Sequence, residues 1–449
     1  MKKALQIFTD KTHLQQRQEI FPSLNVTVAK NIVCSEQPVV ENFQGFGVAI
    51  TGSSCYNLKQ MQEQERTAFL QSVYGKGGLN LSVGRLTMGA SDYSAEIYTY
   101  ADEPFDTELK HFSIERDKEY IIPMIQEILK IRPDLYLFAS PWSPPAWMKT
   151  GGNICGGYMR DEYLECYAEY FVRYVEAYKR EGIEIKAVTP QNETECQNRG
   201  YPTCIWHPDT EAKFVKMLKD RFLQRGLDVK IWFYDHCFHG VDRVLWSLKQ
   251  DQELVQKTDG VAFHYYEGEV EQTKILAQAF PNLELHFTEG GPRLYDHYDS
   301  DWCKWSIMIA RALKTGYRSF TGWNLLLNET GGPNVGPWFC GGLVTANRVT
   351  GNLDYSGQYK AFSHIAPYLK KNAKIYALSE SEEHGNGGMF GYPHSQKKKV
   401  EGLAIVNPDG KTVLVLINPN EDKAQTQVCW KGENWYVELL SDSVSTIIF

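Results

Sequence analysis

IleGluIleLysAlaValThrPro (183–190) is a short, largely apolar run, and the polar loop GlnAsnGluThrGlu (191–195) follows it directly. Further on, Pro208-Asp209-Thr210 supplies residues suited to starting a helix, Glu211 to Arg225 has helical periodicity, and Val229 to Tyr234 is a second apolar run. Strand, polar loop, helix, strand is the signature of a parallel βα unit. Working outward, the same rhythm places strands at Gln44 to Ile50, Leu79 to Leu86, Leu135 to Ser140, Gly260 to Tyr265, Leu283 to Thr288 and Ser319 to Asn324, with a further helix over Glu162 to Arg180. Eight strands predict an α/β fold of the (β/α)8 TIM-barrel type.

From about Val400 the pattern changes to alternating strands with turn signals, including the hairpin turn AsnProAspGly (407–410) and a closing SerValSerThrIleIlePhe (443–449). LeuAsnValThrValAlaLys (24–30) alternates in the same way. The expected organisation is a catalytic barrel over 41–360 and a side antiparallel β-sandwich built from residues 361–449 with N-terminal strands from 1–40.

The 449 residues carry 47 Lys+Arg and 55 Asp+Glu, a formal net charge of −8, and no basic run longer than Lys397-Lys398-Lys399. That balance argues against a nucleic-acid partner. No stretch approaches 18 consecutive apolar residues, and Met1 to Glu19 lacks an apolar signal core, so a cytoplasmic protein without a membrane span is expected. The ten cysteines show no CxxC pair and no zinc spacing; they read as reduced thiols, with Cys196 and Cys204 the one near pair to test for a bridge. Aromatic residues reach 13%, an excess expected to line a cleft.

In a βα barrel, the residues just beyond each strand build the site. The fourth strand ends with Asn192 and Glu193 and the seventh with Glu289, and two such carboxylates suit glycosidic hydrolysis, one donating a proton and one facing the sugar from the other side. Arg85, Asp92, Trp142, Tyr234, Asp235, His236, His264, Tyr265, Trp323 and Asn324 recur at the same end of the strands. Stacking aromatics interleaved with hydrogen-bonding groups are what a saccharide pocket needs.

The chain resembles glycoside hydrolase family 30, in its glucosylceramidase-like branch. The resemblance is carried by GlnGlyPheGlyValAlaIleThr (44–51), ArgLeuThrMetGlyAlaSerAspTyrSer (85–94), TyrThrTyrAlaAspGluPro (98–104), AlaSerProTrpSerProProAlaTrpMetLysThr (139–150), AlaValThrProGlnAsnGluThr (187–194), PheThrGluGlyGly (287–291) and TrpAsnLeuLeuLeuAsnGluThrGlyGlyProAsn (323–334). It implies a retaining β-glycosidase with Glu193 as acid/base and Glu289 as nucleophile, their carboxyl groups roughly 5–5.5 Å apart. It further implies that Arg85 supports the nucleophile, that Asp92, Trp142 and Asn192 hold sugar hydroxyls, and that Trp323 walls the pocket. Those roles require Glu193 to stay protonated near neutral pH while Glu289 stays ionised. Glu195 competes with Glu193, but the family pattern sets the acid directly after the Asn. Two positions depart from that pattern: Gly52 replaces an Asp, and Trp338 stands where a polar pocket residue is expected near the sugar's C6 group.

An exo-acting β-glucosidase on a small β-glycoside or oligosaccharide is the leading expectation, with a β-xylosidase or β-1,6-glucanase as alternatives. A carbohydrate-binding barrel without activity is the rival from another class. His207, His236, His239 and His264 form no HExxH motif, and no GxGxxG or Walker loop occurs, so neither a catalytic metal nor a cofactor is expected.

Overall fold

The computed structural model describes residues 3–22, 30–380 and 399–449. Eight strands close a parallel barrel: β1 (Gly45–Ala49), β2 (Val83–Thr87), β3 (Tyr136–Ser140), β4 (Ile185–Val188), β5 (Lys230–Cys237), β6 (Gly260–His264), β7 (Glu284–Glu289) and β8 (Tyr317–Gly322). Each pairs in parallel with its neighbours in chain order, and β8 closes on β1. Their nearly continuous burial follows from a parallel sheet covered on both faces. Val83, Phe138, Ala187, Trp232 and Ala262 fill one end of the interior, where Trp232 stacks on His286 with ring centroids 3.6 Å apart.

β5 runs three residues past the predicted end at Tyr234, because its register slips between Tyr234 and His236. Tyr234 (φ 79°) and Asp235 (φ 59°) both take left-handed backbone at this bulge. The strand therefore carries Asp235, His236 and Cys237 forward rather than releasing them into a loop.

Much of the aromatic excess lies elsewhere than the cleft. The helix Leu164–Arg180 places Tyr167, Tyr170, Tyr174 and Tyr178 at helical spacing on its buried face. The buried Asp117 carboxylate accepts hydrogen bonds from Tyr98, Tyr100 and Tyr178 at 2.5, 2.7 and 2.6 Å, which satisfies a charge that would otherwise be stranded.

The chain forms two compact units, the barrel unit, Gln44–Tyr298 with Tyr317–Tyr355, and a second unit formed by the described residues of Met1–Phe43, Asp299–Gly316 and Ser356–Phe449. The second unit holds a nine-stranded sheet in the order Gln16–Ile20, Ala4–Thr9, Ser443–Ile448, Thr412–Asn418, Glu401–Val406, Lys374–Glu380, Lys30–Cys34, Ala424–Trp430 and Glu433–Leu439. Asn407–Gly410 makes the expected hairpin turn, with Gly410 at φ 80°. One pair, Lys30–Cys34 with Ala424–Trp430, is parallel, which departs from a purely antiparallel sheet. The strand expected over 24–30 lies outside the described residues except for Lys30. Leu378, Leu414, Val428, Trp435, Leu439 and Ile447 share this unit's core. All ten cysteines, Cys196 and Cys204 included, are free thiols. Among the described residues, no helix is long and apolar enough to cross a membrane.

Candidate active site

The strand tips converge on Arg85, which leaves β2 inside the barrel and is fully buried. Its guanidinium donates to Ser140 Oγ at 3.3 Å, to Asn192 Oδ1 at 2.8 Å and to Asp235 Oδ2 at 2.8 Å, and it forms an ion pair with Glu289. Asp235, equally buried, also accepts from Ser140 (2.9 Å), Thr189 (2.7 Å), Thr288 (2.6 Å) and His264 Nε2 (3.1 Å). Burial alone would raise the Asp235 carboxyl; the Arg85 charge and the His264 hydrogen bond reverse that and hold it well below the usual carboxylate range.

Glu193 enters this network at the tip of β4. Its left-handed backbone (φ 53°) is held by an N–H bond to the Asp235 carbonyl at 2.9 Å, and its Oε1 lies 3.3 Å from His264 Nδ1. An oxygen of Glu193, a ring nitrogen of His264 and an oxygen of Glu289 all lie within 4.8 Å of one another. Glu289 Oε1 accepts from Tyr266 at 2.8 Å, so both oxygens of this carboxylate are held, one by Arg85 and one by Tyr266. Glu195 is oriented differently: its Oε2 accepts from Tyr234 at 2.9 Å, and it is absent from the cavity wall.

Above the network is a cavity of about 270 Å³. Asp92, Trp142, Asn192, Glu193, Glu289, Trp323 and Trp338 all line it. Trp142 and Trp323 stack at 5.3 Å, with the Arg85 guanidinium 4.9 and 5.6 Å from their ring centroids, an arrangement that fixes both indoles. Asp92 Oδ1 is buried without a hydrogen-bond partner, and burial together with the Glu289 and Glu193 charges pushes this carboxyl well above its usual range. Trp338 stands at the rim, 52% exposed, beside Phe339 and Tyr295. Gly52 opens the helix Gly52–Gln60 and does not line the cavity.

Five of the expected site residues stand off the cavity wall. Arg85, Asp235 and His264 form the layer beneath it, while the Tyr234 hydroxyl points to Glu195 and the Cys237 carbonyl. Tyr265 is displaced from the wall by its neighbour Tyr266, and the Tyr265 hydroxyl donates to the Gly291 carbonyl at 3.3 Å. Sequence reasoning placed His236 among the strand-end residues, and missed Tyr266, Tyr201, Cys196, Cys237, Glu267, Arg293, Tyr295, Phe339 and Cys340 in the wall. Tyr266 is one residue beyond the chosen Tyr265, and a strand tip gives no signal for which of two adjacent tyrosines turns inward.

The protonation pattern also differs from the expected one. Burial lowers His264, but the Glu289 charge and the hydrogen bonds to Asp235 and Glu193 raise it to about 9. Burial raises Glu193, yet its His264 hydrogen bond and the charges of His236 and His264 leave it below its ordinary value. The imidazole is raised because three carboxylates, Asp235, Glu193 and Glu289, lie 3.1, 3.3 and 3.9 Å from its nitrogens. Since His264 titrates near 9 in the fold against 6.5 ordinarily, its contribution is fully present below pH 6.5 and is lost as pH rises through 9. Wild-type Tm should therefore fall more steeply than that of His264→Gln between pH 6.5 and 9; parallel curves would remove this role.

The profile of the glycosyl hydrolase family 30 TIM-barrel domain matches residues 43–369, and that of the family 30 beta sandwich domain matches residues 391–447. Lysosomal acid glucosylceramidase of Mus musculus is 28% identical over 405 residues, covering 85% of this chain and 76% of the mouse protein. Among solved structures, SrfJ from Salmonella typhimurium superposes with a TM-score of 0.89 at 25% identity, covering 100% of this chain and 99% of the other. An endo-beta1,6-glucanase superposes at 0.84 with 28% identity, covering 99% of both chains.

Proposed function

Because the chain belongs to glycosyl hydrolase family 30 and is a glycosidase acting on O-glycosyl bonds, we propose that it hydrolyses β-glucosides with retention of configuration and acts from the chain end. The observation that carries the retaining reading is the approach of Glu193 and Glu289 oxygens to within 4.8 Å. Inverting enzymes hold their carboxyl groups about 6.5–9.5 Å apart to admit a water, and retaining ones about 5–5.5 Å.

In this reading Glu289 attacks the anomeric carbon while Glu193 gives a proton to the departing oxygen, forming a glycosyl ester and releasing the alcohol. Water then loses a proton to Glu193 and attacks the same carbon, expelling Glu289. The proton shared between His264 and Glu193 feeds the first step: a glycosidic oxygen against Glu193 displaces water and favours the neutral acid. Arg85 and Tyr266 keep Glu289 aimed, and Asn192, held by Arg85, faces the sugar.

A cavity near the small end of the ~300–1,000 Å³ range of ligand sites suits one sugar ring, which supports action on a terminal glucose. The exposed Trp338, Phe339 and Tyr295 offer apolar faces to an aglycone. The same rim favours a second reading, an endo-β-1,6-glucanase, since exposed rings stack further sugars equally well, and a solved enzyme of that description covers 99% of both chains.

The first product of an aryl β-glucoside, followed by proton NMR, should be the β-anomer, with the glucoside ranked above the xyloside, fucoside and galactoside by kcat/KM. Initial α-product would exclude retention. Digestion of β-1,6-gluco-oligosaccharides separates the two readings: glucose alone supports end-wise action, and mixed oligosaccharides support the glucanase.

A further inference from the structure

Beside Glu193, the cavity wall contains two donors for which sugar hydrolysis has no evident use. The bulge in β5 brings both His236 and Cys237 to the wall. One oxygen of Glu193, one ring nitrogen of His236 and the Cys237 sulfur lie within 4.8 Å of one another. His236 is only 8% exposed, and its Nδ1 is turned to Glu195 Oε2 at 3.7 Å.

We propose that Glu193, His236 and Cys237 form a binding site for a borderline divalent cation, Zn2+, which switches hydrolysis off. Zinc takes nitrogen, sulfur and carboxylate ligands at about 2.0–2.3 Å in tetrahedral array, which sets donors roughly 3.3–3.8 Å apart. With 4.8 Å as the upper bound on the triangle's sides, closing it needs shifts of no more than about 1.5 Å. A thiolate ligand selects Zn2+ or Co2+ over Mg2+ and Ca2+. Metal-bound imidazoles characteristically present their other nitrogen to a carboxylate, and Glu195 stands at that position for His236. Binding exchanges the Cys237 thiol proton for the metal and occupies the Glu193 carboxylate, so no proton can pass to the glycosidic oxygen.

The inhibitory half of the inference rests on Glu193 as acid/base; the binding half does not, and the test separates them. Protein freed of metal with EDTA is titrated with Co2+, and near-ultraviolet thiolate-to-cobalt absorption is expected in the wild type and in Cys196→Ser but not in Cys237→Ser. Zn2+ inhibition, measured against each variant's own metal-free rate, should require at least about 100-fold more metal in Cys237→Ser and about tenfold more in His236→Gln, while Mg2+ and Ca2+ leave the wild-type rate unchanged. His236→Gln keeps the thiol and so supplies the check if Cys237→Ser fails to fold. Absence of the wild-type band, or equal Zn2+ sensitivity in the variants and the wild type, overturns the site. A wild-type band accompanied by undiminished hydrolysis leaves the site standing and overturns both its inhibitory role and the assignment of Glu193.

Discussion

Glu289→Gln should lose hydrolysis of an aryl β-glucoside by on the order of 10⁴-fold or more in kcat, the scale on which removing the group that forms a covalent intermediate acts. Glu289 is 5% exposed at the tip of β7, with both oxygens held by Arg85 and Tyr266. An amide keeps the shape and cannot form the ester. Glu193→Ala should lose about 10²–10⁴-fold, the usual worth of acid/base help, and sodium azide should restore turnover by forming a β-glycosyl azide, since azide needs no base to attack the intermediate. Glu195→Ala should show no such rescue, because its carboxylate is engaged by Tyr234 away from the cavity wall. Rescue of the Glu195 variant in place of the Glu193 variant would reverse the assignment, and near-normal turnover by Glu289→Gln would end the retaining reading.

Arg85→Met should destabilise the fold by about 3–5 kcal/mol, the cost of removing one partner of a buried ionic network. The guanidinium is fully buried and pairs with both Asp235 and Glu289, so its loss leaves these two inward carboxylates with His264 as their remaining partner cation. Urea unfolding should show a lower midpoint with an unchanged slope. Adding Asp235→Leu to this variant should recover part of the loss, since it removes a stranded charge. A stability loss of less than about 1 kcal/mol would mean that the hydroxyl donors Ser140, Thr189 and Thr288, rather than Arg85, carry Asp235.

The barrel was legible because its signal is local. Apolar runs such as those ending at Pro190 and Tyr234 alternate with helical segments, and that alternation reports burial whatever the rest of the chain does. Glu193 and Glu289 were legible for the same reason, since the rule linking strand ends to the site needs only the strand ends. Tyr234 and Tyr265 fail where that rule stops: it says that a residue is near the rim, not where its side chain points. The bulge at Tyr234 and Asp235 depends on left-handed backbone held by neighbouring strands, which no run of residue types announces. The aromatic excess misled in a related way, because four tyrosines at helical spacing on Leu164–Arg180 bury as core.

By itself the sequence determined the architecture and the family and set Glu193 and Glu289 at strand ends, because each is written in residue order along the chain. Only the tertiary structure decided that contacts with Asp235, Glu193 and Glu289 raise the His264 imidazole while Glu193 falls below its ordinary value, and that Tyr266 and Cys237 join the wall. Charge interactions fall off with distance and with solvent. They are therefore set by separations of a few ångströms between strands that lie up to 204 residues apart in the chain, as Arg85 and Glu289 do.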